Sequence, residues 1–591
     1  MSEPIRIANC SGFYGDRLSA AAEMVEGGPI DVLTGDWLAE LTMLILARTR
    51  AKRPGGGFAR TFVAQMEQVM GTCLDDGIKV VTNAGGLDPD GCAQAVAEVA
   101  DKLGLAPTIA YVDGDDLLPR LDDLVTAGVS LDHFETGEPV GDTSRFLSAN
   151  AYLGCWGIVD ALERGADIVI TGRTTDAAVV CGPAAWHHGW ARDDWDALAG
   201  AVVAGHVIEC GTQATGGNYS FFTEVEGMER VGFPWAEVAA DGSSVIGKHD
   251  GTGGEVSVGT VVSQLLYEIG GPAYLGPDVT ARFDTVTAEQ LQPERVLLNG
   301  TKGEPPPPTL KVAMNELGGF RNGMNVALTG LDIEAKAALV EAAFWVACPY
   351  GPDDFAEVAT TLSRTDKPDP ASNEEAVAFW RLTVKDPDER KVGRAVSNAV
   401  IELALASIPG FFAVSGGPGP GKAYGVYRPA LVPADLVPQR VSILGGDRTA
   451  IESVAPAGDV TVDPIAGPDT AAPTGETVDV PLGLVVGARS GDKGGNANLG
   501  VFARNDEAWA WLDDFLTVER LRSLLPETAP LVVDRHRLAN LRSVNFVIHG
   551  LLQEGVAAST RQDGQAKSLG EWLRARVVPV PVALLDDGNP G

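Results

Sequence analysis

The sequence predicts an α/β protein: a large body on a mainly parallel, Rossmann-like sheet, a middle α+β region, and a small C-terminal α/β sandwich. Three observations lead there. Short apolar runs end repeatedly in a polar, glycine-containing turn and are followed by a helical pattern. That rhythm breaks near Pro272. A stretch rich in Ala, Pro, Gly, Asp and Thr then sets off the end of the chain. The expected segments are a 1–271 α/β domain, a 272–454 α+β domain, a 455–475 linker and a 476–591 domain.

Residues 5–8 read as the first strand, with Asn9, Ser11 and Gly12 in its turn. Residues 30–33 form the second, ending at Thr34-Gly35-Asp36 before a helix over 37–50. The third, 78–81, ends at Thr82-Asn83-Ala84-Gly85-Gly86, and a helix over 92–103 leads to a fourth at 108–112. A helix over 152–164, closed by Gly165, precedes the strand 167–171 and its turn Gly172-Arg173. Residues 207–209 read as a short strand before a polar glycine loop, 211–218. Beyond Pro272, helices are expected over 336–347, 374–380 and 396–406. In the last segment a strand at 482–486 opens into a loop, 488–496, and strands at 499–503 and 544–548 follow. Helices are expected over 509–525 and 569–576, and residues 577–584, broken by Pro579 and Pro581, read as an edge strand.

Open parallel sheets bind ligands at the carboxyl ends of their strands. Asp36, Asn83, Arg173 and Asp176 all follow expected strands there. The 490–498 loop adds Asp492, Lys493 and Asn496 on a glycine-rich backbone that can hold an anion through N–H groups and the amine. Gln213 and Asn218 lie in the second glycine loop, after Cys210, and Lys248-His249-Asp250 opens a third. The expected catalytic groups are Asp492, Asp176 and His249, which can carry protons. The expected substrate-binding groups are Arg173 and Lys493 as anion clamps, Asn83, Gln213, Asn218 and Asn496 as carbonyl partners, and Asp36.

Other classes are disfavoured. A net charge of −35 repels nucleic acid and anionic membranes. Seven cysteines without a CxxC suit a reducing compartment. No signal peptide pattern and no 18-residue apolar run is visible, so the expectation is cytoplasmic, without membrane association. Residues 416–423 match GxxxxGK but end in Ala423 where a P-loop needs Ser or Thr for magnesium, and Pro418 and Pro420 remove N–H donors. A GxGxxG near the N-terminus, GxSxG and HExxH are absent. No metal site and no cofactor are predicted.

Thr34-Gly35-Asp36, Thr82 to Gly86, GADIVITGRTTDAAVVCGPAAW at 165–186, GHVIECG at 205–211 and QLLYEI at 264–269 resemble the acyclic terpene utilisation (AtuA) family. ARSGDKGGNANLGVF at 488–502 resembles that family's second, ferredoxin-fold domain. Asp250 and Ser263 depart from its pattern, standing where proline and an acidic residue are expected. The resemblance implies catabolism of citronellol- and geraniol-type compounds through acyl-CoA thioesters, and it carries no catalytic residue. The resulting expectation is an acyl-CoA lyase or hydratase working by acid/base chemistry, with a CoA thioester as possible substrate. The alternatives are a non-catalytic binding or scaffold subunit, associated with an acyl-CoA carboxylase or similar assembly, and an ATP-dependent ligase. The expected partners are a small acyl-CoA or carboxylate and further copies of the chain in a homo-oligomer.

Overall fold

The computed structural model describes residues 3–53, 55–414, 418–451, 472–473 and 475–586. They divide into two compact units: Met1–Asn315 with Tyr427–Val556 and Gln565–Gly591, and Glu316–Val426 with Ala557–Gly564. Apart from 472, 473 and 475, the 455–475 linker lies outside the described residues, as do Gly416 and Gly417 of the GxxxxGK match.

The first unit is built on an eleven-stranded sheet. Its centre is β1 (Ile5–Asn9), β2 (Val32–Gly35), β3 (Lys79–Thr82), β4 (Ile109–Asp113) and β5 (Ile168–Thr171), parallel and in the order β1-β2-β3-β5-β4. The middles of these strands are mostly apolar because helices cover both faces. Side chains alternate across a strand, so Ile7, Val32, Val81 and Val169 enter one core while Ala8, Leu33, Val80 and Ile168 enter the other. The first core holds the helices Trp156–Glu163, Ala178–His188 and Trp195–Ile208, and the second holds Ala20–Glu26, Glu40–Lys52, Arg60–Asp76 and Pro89–Leu103.

The flanks correct the expectation of a mainly parallel sheet. β6 (Pro234–Val238), β7 (Ser244–Lys248), β8 (Thr287–Gln292), β9 (Arg295–Asn299), β10 (Gln439–Ile443) and β11 (Arg448–Ile451) are all antiparallel additions, so the sheet is mixed. Connection length accounts for three of these pairings. β6–β7, β8–β9 and β10–β11 are joined by a few residues each, too short for the crossover that a parallel pair needs.

Residues 207–209 are not a strand. They end the helix Trp195–Ile208, buried from Ala197 to Ile208, whose all-round apolar surface suits a core helix. That helix touches the β6–β7 turn at glycines: a Cβ on Gly200 would sit 2.1 Å from the Gly242 carbonyl oxygen, and Gly242 itself has φ +82°. Gly200→Ala is therefore expected to destabilise the protein by about 1–3 kcal/mol, read as a lower urea midpoint with unchanged slope.

The C-terminal part of this unit is a four-stranded antiparallel sheet of β12 (Val486–Lys493), β13 (Asn496–Ala503), β14 (Val533–Leu538) and β15 (Ser543–Ile548), in the order β12-β13-β15-β14. The helices Asp506–Phe515, Val518–Leu524 and Leu569–Arg574 share its core. The expected 488–496 loop is instead a hairpin, with Lys493 opposite Asn496 and Gly494-Gly495 as the turn. The edge strand is Val577–Pro581, paired among the described residues with Thr477–Pro481 in a two-stranded sheet.

In the second unit, Glu357–Ser363 and Phe320–Thr329 both pair antiparallel with Val377–Asp386. The helix Ile333–Ala347 shares a core with them through Ile333, Val340 and Phe344. The helix expected over 374–380 is a single 3-10 turn, Glu374–Ala376, and then strand. Val377, Phe379 and Trp380 favour a pleated surface, and pairing with residues 326–329 supplies it.

Candidate functional site

β2, β3 and β5 end together, and their following turns bring Asp36, Asn83 and Arg173 to one place. Asn83, fully buried, accepts from Trp37 N at 2.8 Å and donates to Asp36 Oδ1. Arg173 is 2% exposed, and its backbone N–H binds Asp115 Oδ2 at 2.9 Å. Its guanidinium donates to Asp176 Oδ1 at 2.6 Å and to the Leu38 carbonyl at 3.1 Å, and stacks on Tyr152 at 4.1 Å. Its Nε is buried without a hydrogen-bond partner.

Burial pushes the Asp36 carboxyl well up, and Asp176 adds to it, against the pull of Arg173. Beside it, Glu40 opens the helix Glu40–Lys52 and lies 3.4 Å from Lys311 Nζ. Burial alone would raise Glu40, but Lys311 and then Arg173 hold it down at about 2.

The C-terminal hairpin supplies the opposite wall. Alternation along β12 sends Arg489, Gly491 and Lys493 toward residues 266–270. Arg489 donates to Gln213 Oε1 and stacks on Tyr267 at 4.2 Å. Lys493 Nζ donates to the Glu268 carbonyl at 3.0 Å. Gly491 is glycine because a Cβ would come within 2.4 Å of the Tyr267 ring. Lys567 reaches the Tyr267 hydroxyl and lies 3.5 Å from Asp492 and 3.6 Å from Glu268. Desolvation, then Asp492, push Glu268 up to about 7 while Lys567 opposes them. Burial raises Asp492 and lowers Lys493.

The two walls form one electrostatic unit, since Glu209 feels Asp176, Glu268, Arg173 and Lys493, and Lys493 feels Lys311, Glu268 and Glu40. The structure therefore gathers Asp36, Asn83, Arg173, Asp176, Gln213, Asp492 and Lys493. Asn496 stands at the margin, donating to Glu135 Oε1 at 3.0 Å. Two candidates stand apart. Asn218 is an exposed residue in the left-handed region, with φ +60°. His249 binds the Met24 carbonyl at 3.0 Å and packs on Gly27 and Gly28, where a Cβ would meet its ring at 2.6 and 2.8 Å.

Sequence reasoning missed Glu40, Tyr152, Glu209, Tyr267, Glu268, Lys311, Arg489 and Lys567. Glu209, Tyr267, Glu268 and Arg489 fall inside the quoted family-like segments and were within reach. Lys311 and Lys567 carry no local signal. Burial and then Glu209 push the Cys210 thiol well up, which disfavours its thiolate.

Two cavities lie off the charged cluster. One of about 580 Å³ is lined by Trp195, Asp196, Gly242 and Lys302. The other, of about 310 Å³, is lined by Trp156, Arg192, Trp195, Pro306 and Leu310. Among the described residues, no group of three or more His, Cys, Asp or Glu could hold a metal ion, and no helix is long and apolar enough to cross a membrane.

Comparison with known proteins finds two matches to family models. Residues 5–443 match the acyclic terpene utilisation family protein AtuA, and residues 480–579 match the AtuA ferredoxin-like domain. No curated protein and no solved structure matches the chain.

Proposed function

The chain belongs to the acyclic terpene utilisation family AtuA, and from that membership we propose that it is an acid/base enzyme acting on a terpenoid or branched acyl-CoA or carboxylate. Membership implies a role in acyclic terpene utilisation. The proposed reaction class is a lyase: hydration/dehydration or carbon–carbon cleavage. One observation carries the reading. Within one largely buried charged cluster, neighbouring carboxyls are driven in opposite directions, Glu40 down to about 2 and Glu268 up to about 7, with Asp36 well above its ordinary value. Such divergence separates proton donors from permanent anions.

The roles follow from position. Asp36 and Glu268 move protons. Arg173 and Lys493 stabilise a carboxylate or an enolate as charge develops on it. Asn83 fixes Asp36, and Glu40 keeps Lys311 charged. None of these roles requires a redox cofactor.

The test is a thermal-shift panel with CoA, branched acyl-CoAs, free branched C10 acids, and ATP with magnesium. A molecule bound at 100 times its dissociation constant adds about 2.7 kcal/mol. The expected result is stabilisation by an acyl-CoA or acid, lost in Arg173→Met, with Asp36→Asn cutting turnover at least about 100-fold. Stabilisation by ATP alone, or a silent panel, would sink the proposal.

A further inference from the structure

The cavity of about 310 Å³ is built at the start of the helix Trp156–Glu163, away from the charged cluster. Residues 305–308 are four consecutive prolines, and Pro306 and Pro307 form one of its walls. Proline fixes φ and carries no N–H, so this wall is stiff and presents no donor. The run is tied at both ends: Thr280 Oγ1 donates to the Pro305 carbonyl at 2.9 Å, and the Ala434 N–H to the Pro308 carbonyl at 3.0 Å. Trp156, Trp195 and Leu310 add further apolar surface.

Two polar side chains of the lining reach that helix start from distant parts of the chain. Asp278 Oδ2 accepts from the Cys155 N–H at 2.9 Å, and Gln439 Oε1 from the Gly157 N–H at 2.8 Å. Glycines admit them: a Cβ on Gly154 would lie 2.1 Å from Asp278 Oδ1, and one on Gly157 2.6 Å from Gln439 Oε1. Gln439 is 7% exposed. Its Nε2 donates to no group among the described residues and is not sealed in, so it faces the cavity. A buried donor left unpaired is costly, and a bound acceptor removes that cost.

The charges select against ions. Asp193 and Asp278 outnumber Arg192 in the lining, which opposes an anionic head. The Arg192 guanidinium lies over the Trp156 ring at 5.0 Å and acts on Asp278, so it opposes a cationic one. An ammonium also has no lone pair with which to accept from Gln439. A hydroxyl both accepts and donates, and a carboxylate has about four lone-pair sites, so Asp278 can take a further donor. About 150 Å³ is enough for benzene, so the space here holds a ring with a short arm. Stiff walls favour a ring over a flexible chain, which would lose rotor freedom on binding. We propose that this cavity binds a small uncharged ring compound bearing one hydroxyl, which accepts from Gln439 Nε2 and donates to Asp278. The site stands independently of the acid/base reading above.

The test uses the full-length protein with 15N-labelled indoles and three probes that share one ring and arm: 2-phenylethanol, phenylacetate and 2-phenylethylamine. The chain has eleven tryptophans, and Trp156→Phe and Trp195→Phe each identify one indole by its loss. At neutral pH, 2-phenylethanol should shift both indoles saturably. Half-saturation is expected at or below about 10 mM, which even a low-efficiency ligand of this size reaches. The two ions should bind at least about tenfold more weakly. Equal binding of all three probes, tightest binding by either ion, or no saturable shift of these indoles at about 10 mM would overturn the proposal.

Gln439→Glu then isolates the donor. It keeps an acceptor for the Gly157 N–H and sets a carboxylate at a helix N-terminus, where negative charge is favoured, but it removes the N–H that faces the cavity. It should weaken 2-phenylethanol about tenfold. An unchanged affinity in the folded variant would overturn the assigned contact. The probe series is read on the wild type, so it decides the ligand class whatever the stability of the variant.

Discussion

Arg173→Met is expected to unfold the centre of the molecule more than any other single change at the strand edge. The guanidinium is buried, holds Asp176 at 2.6 Å and ties down the Leu38 carbonyl. Removing it strands Asp176 beside Asp36 and Glu209, which already repel one another. Breaking a buried pair from one side costs about 3–5 kcal/mol, and the low end applies here because Asp176 keeps a quarter of its side chain in water. Arg173→Lys should recover only part of this. An ammonium restores the charge but not the planar fork that reaches Asp176 and Leu38 while stacked on Tyr152. Urea denaturation of the three proteins measures it. A midpoint for Arg173→Met within error of wild type would show that the cation does not hold the carboxylates together.

The second large effect is in pH. Glu268 is raised from 4.5 to about 7 in the folded protein. Between those values the folded state binds more protons than the unfolded one, so this group's contribution is complete below about 4.5 and is lost as pH rises through 7. Asp115, raised to about 7, and Asp278, raised to about 6, act in the same sense. Glu40 acts oppositely: its contribution is present above about 4.5 and is lost as pH falls toward 2. Glu268→Gln should therefore leave stability near wild type at pH 5 and raise it at pH 8. The full shift would correspond to about 3 kcal/mol. More than a third of the side chain is in water, so about 1 kcal/mol is expected after screening. Melting curves at pH 5 and pH 8 decide it, and equal differences at both would show that Glu268 is not displaced.

The parts of this site that sequence reveals are those made by local rules. Asp36, Asn83 and Arg173 follow strands whose apolar runs are plain, and the sheet then carries them together. The family-like segments extend that reading along most of the chain, and the family matches cover it. The hairpin at 488–496 was misread because its glycines look like turn residues. Only Gly494-Gly495 turn the chain, whereas Gly491 makes room for Tyr267. His249 sits in a loop as rich in polar groups as the true site, and its two glycine neighbours turn it into packing. Lys311 and Lys567 reach the charged cluster through tertiary folding, which no window of sequence encodes. The antiparallel flanks followed the same pattern: their strands are short and mixed in polarity, and only connection length betrays their direction.

The hairpin that packs over Tyr267 and Glu268 comes late in the chain, and this gives the site a history during synthesis. Asp36, Asp176, Glu209 and Glu268 leave the ribosome well before Arg489, Lys493 and Lys567. At about 5–20 residues per second, the roughly 300 residues between Glu268 and Lys567 take on the order of 15–60 seconds. For that interval Glu268 stands without Lys493 and Lys567, and Tyr267 and Leu266 without the sheet that covers them. A nascent protein of this design is most exposed to proteases and to misassociation in that interval, and the folding of the hairpin over Tyr267 ends it.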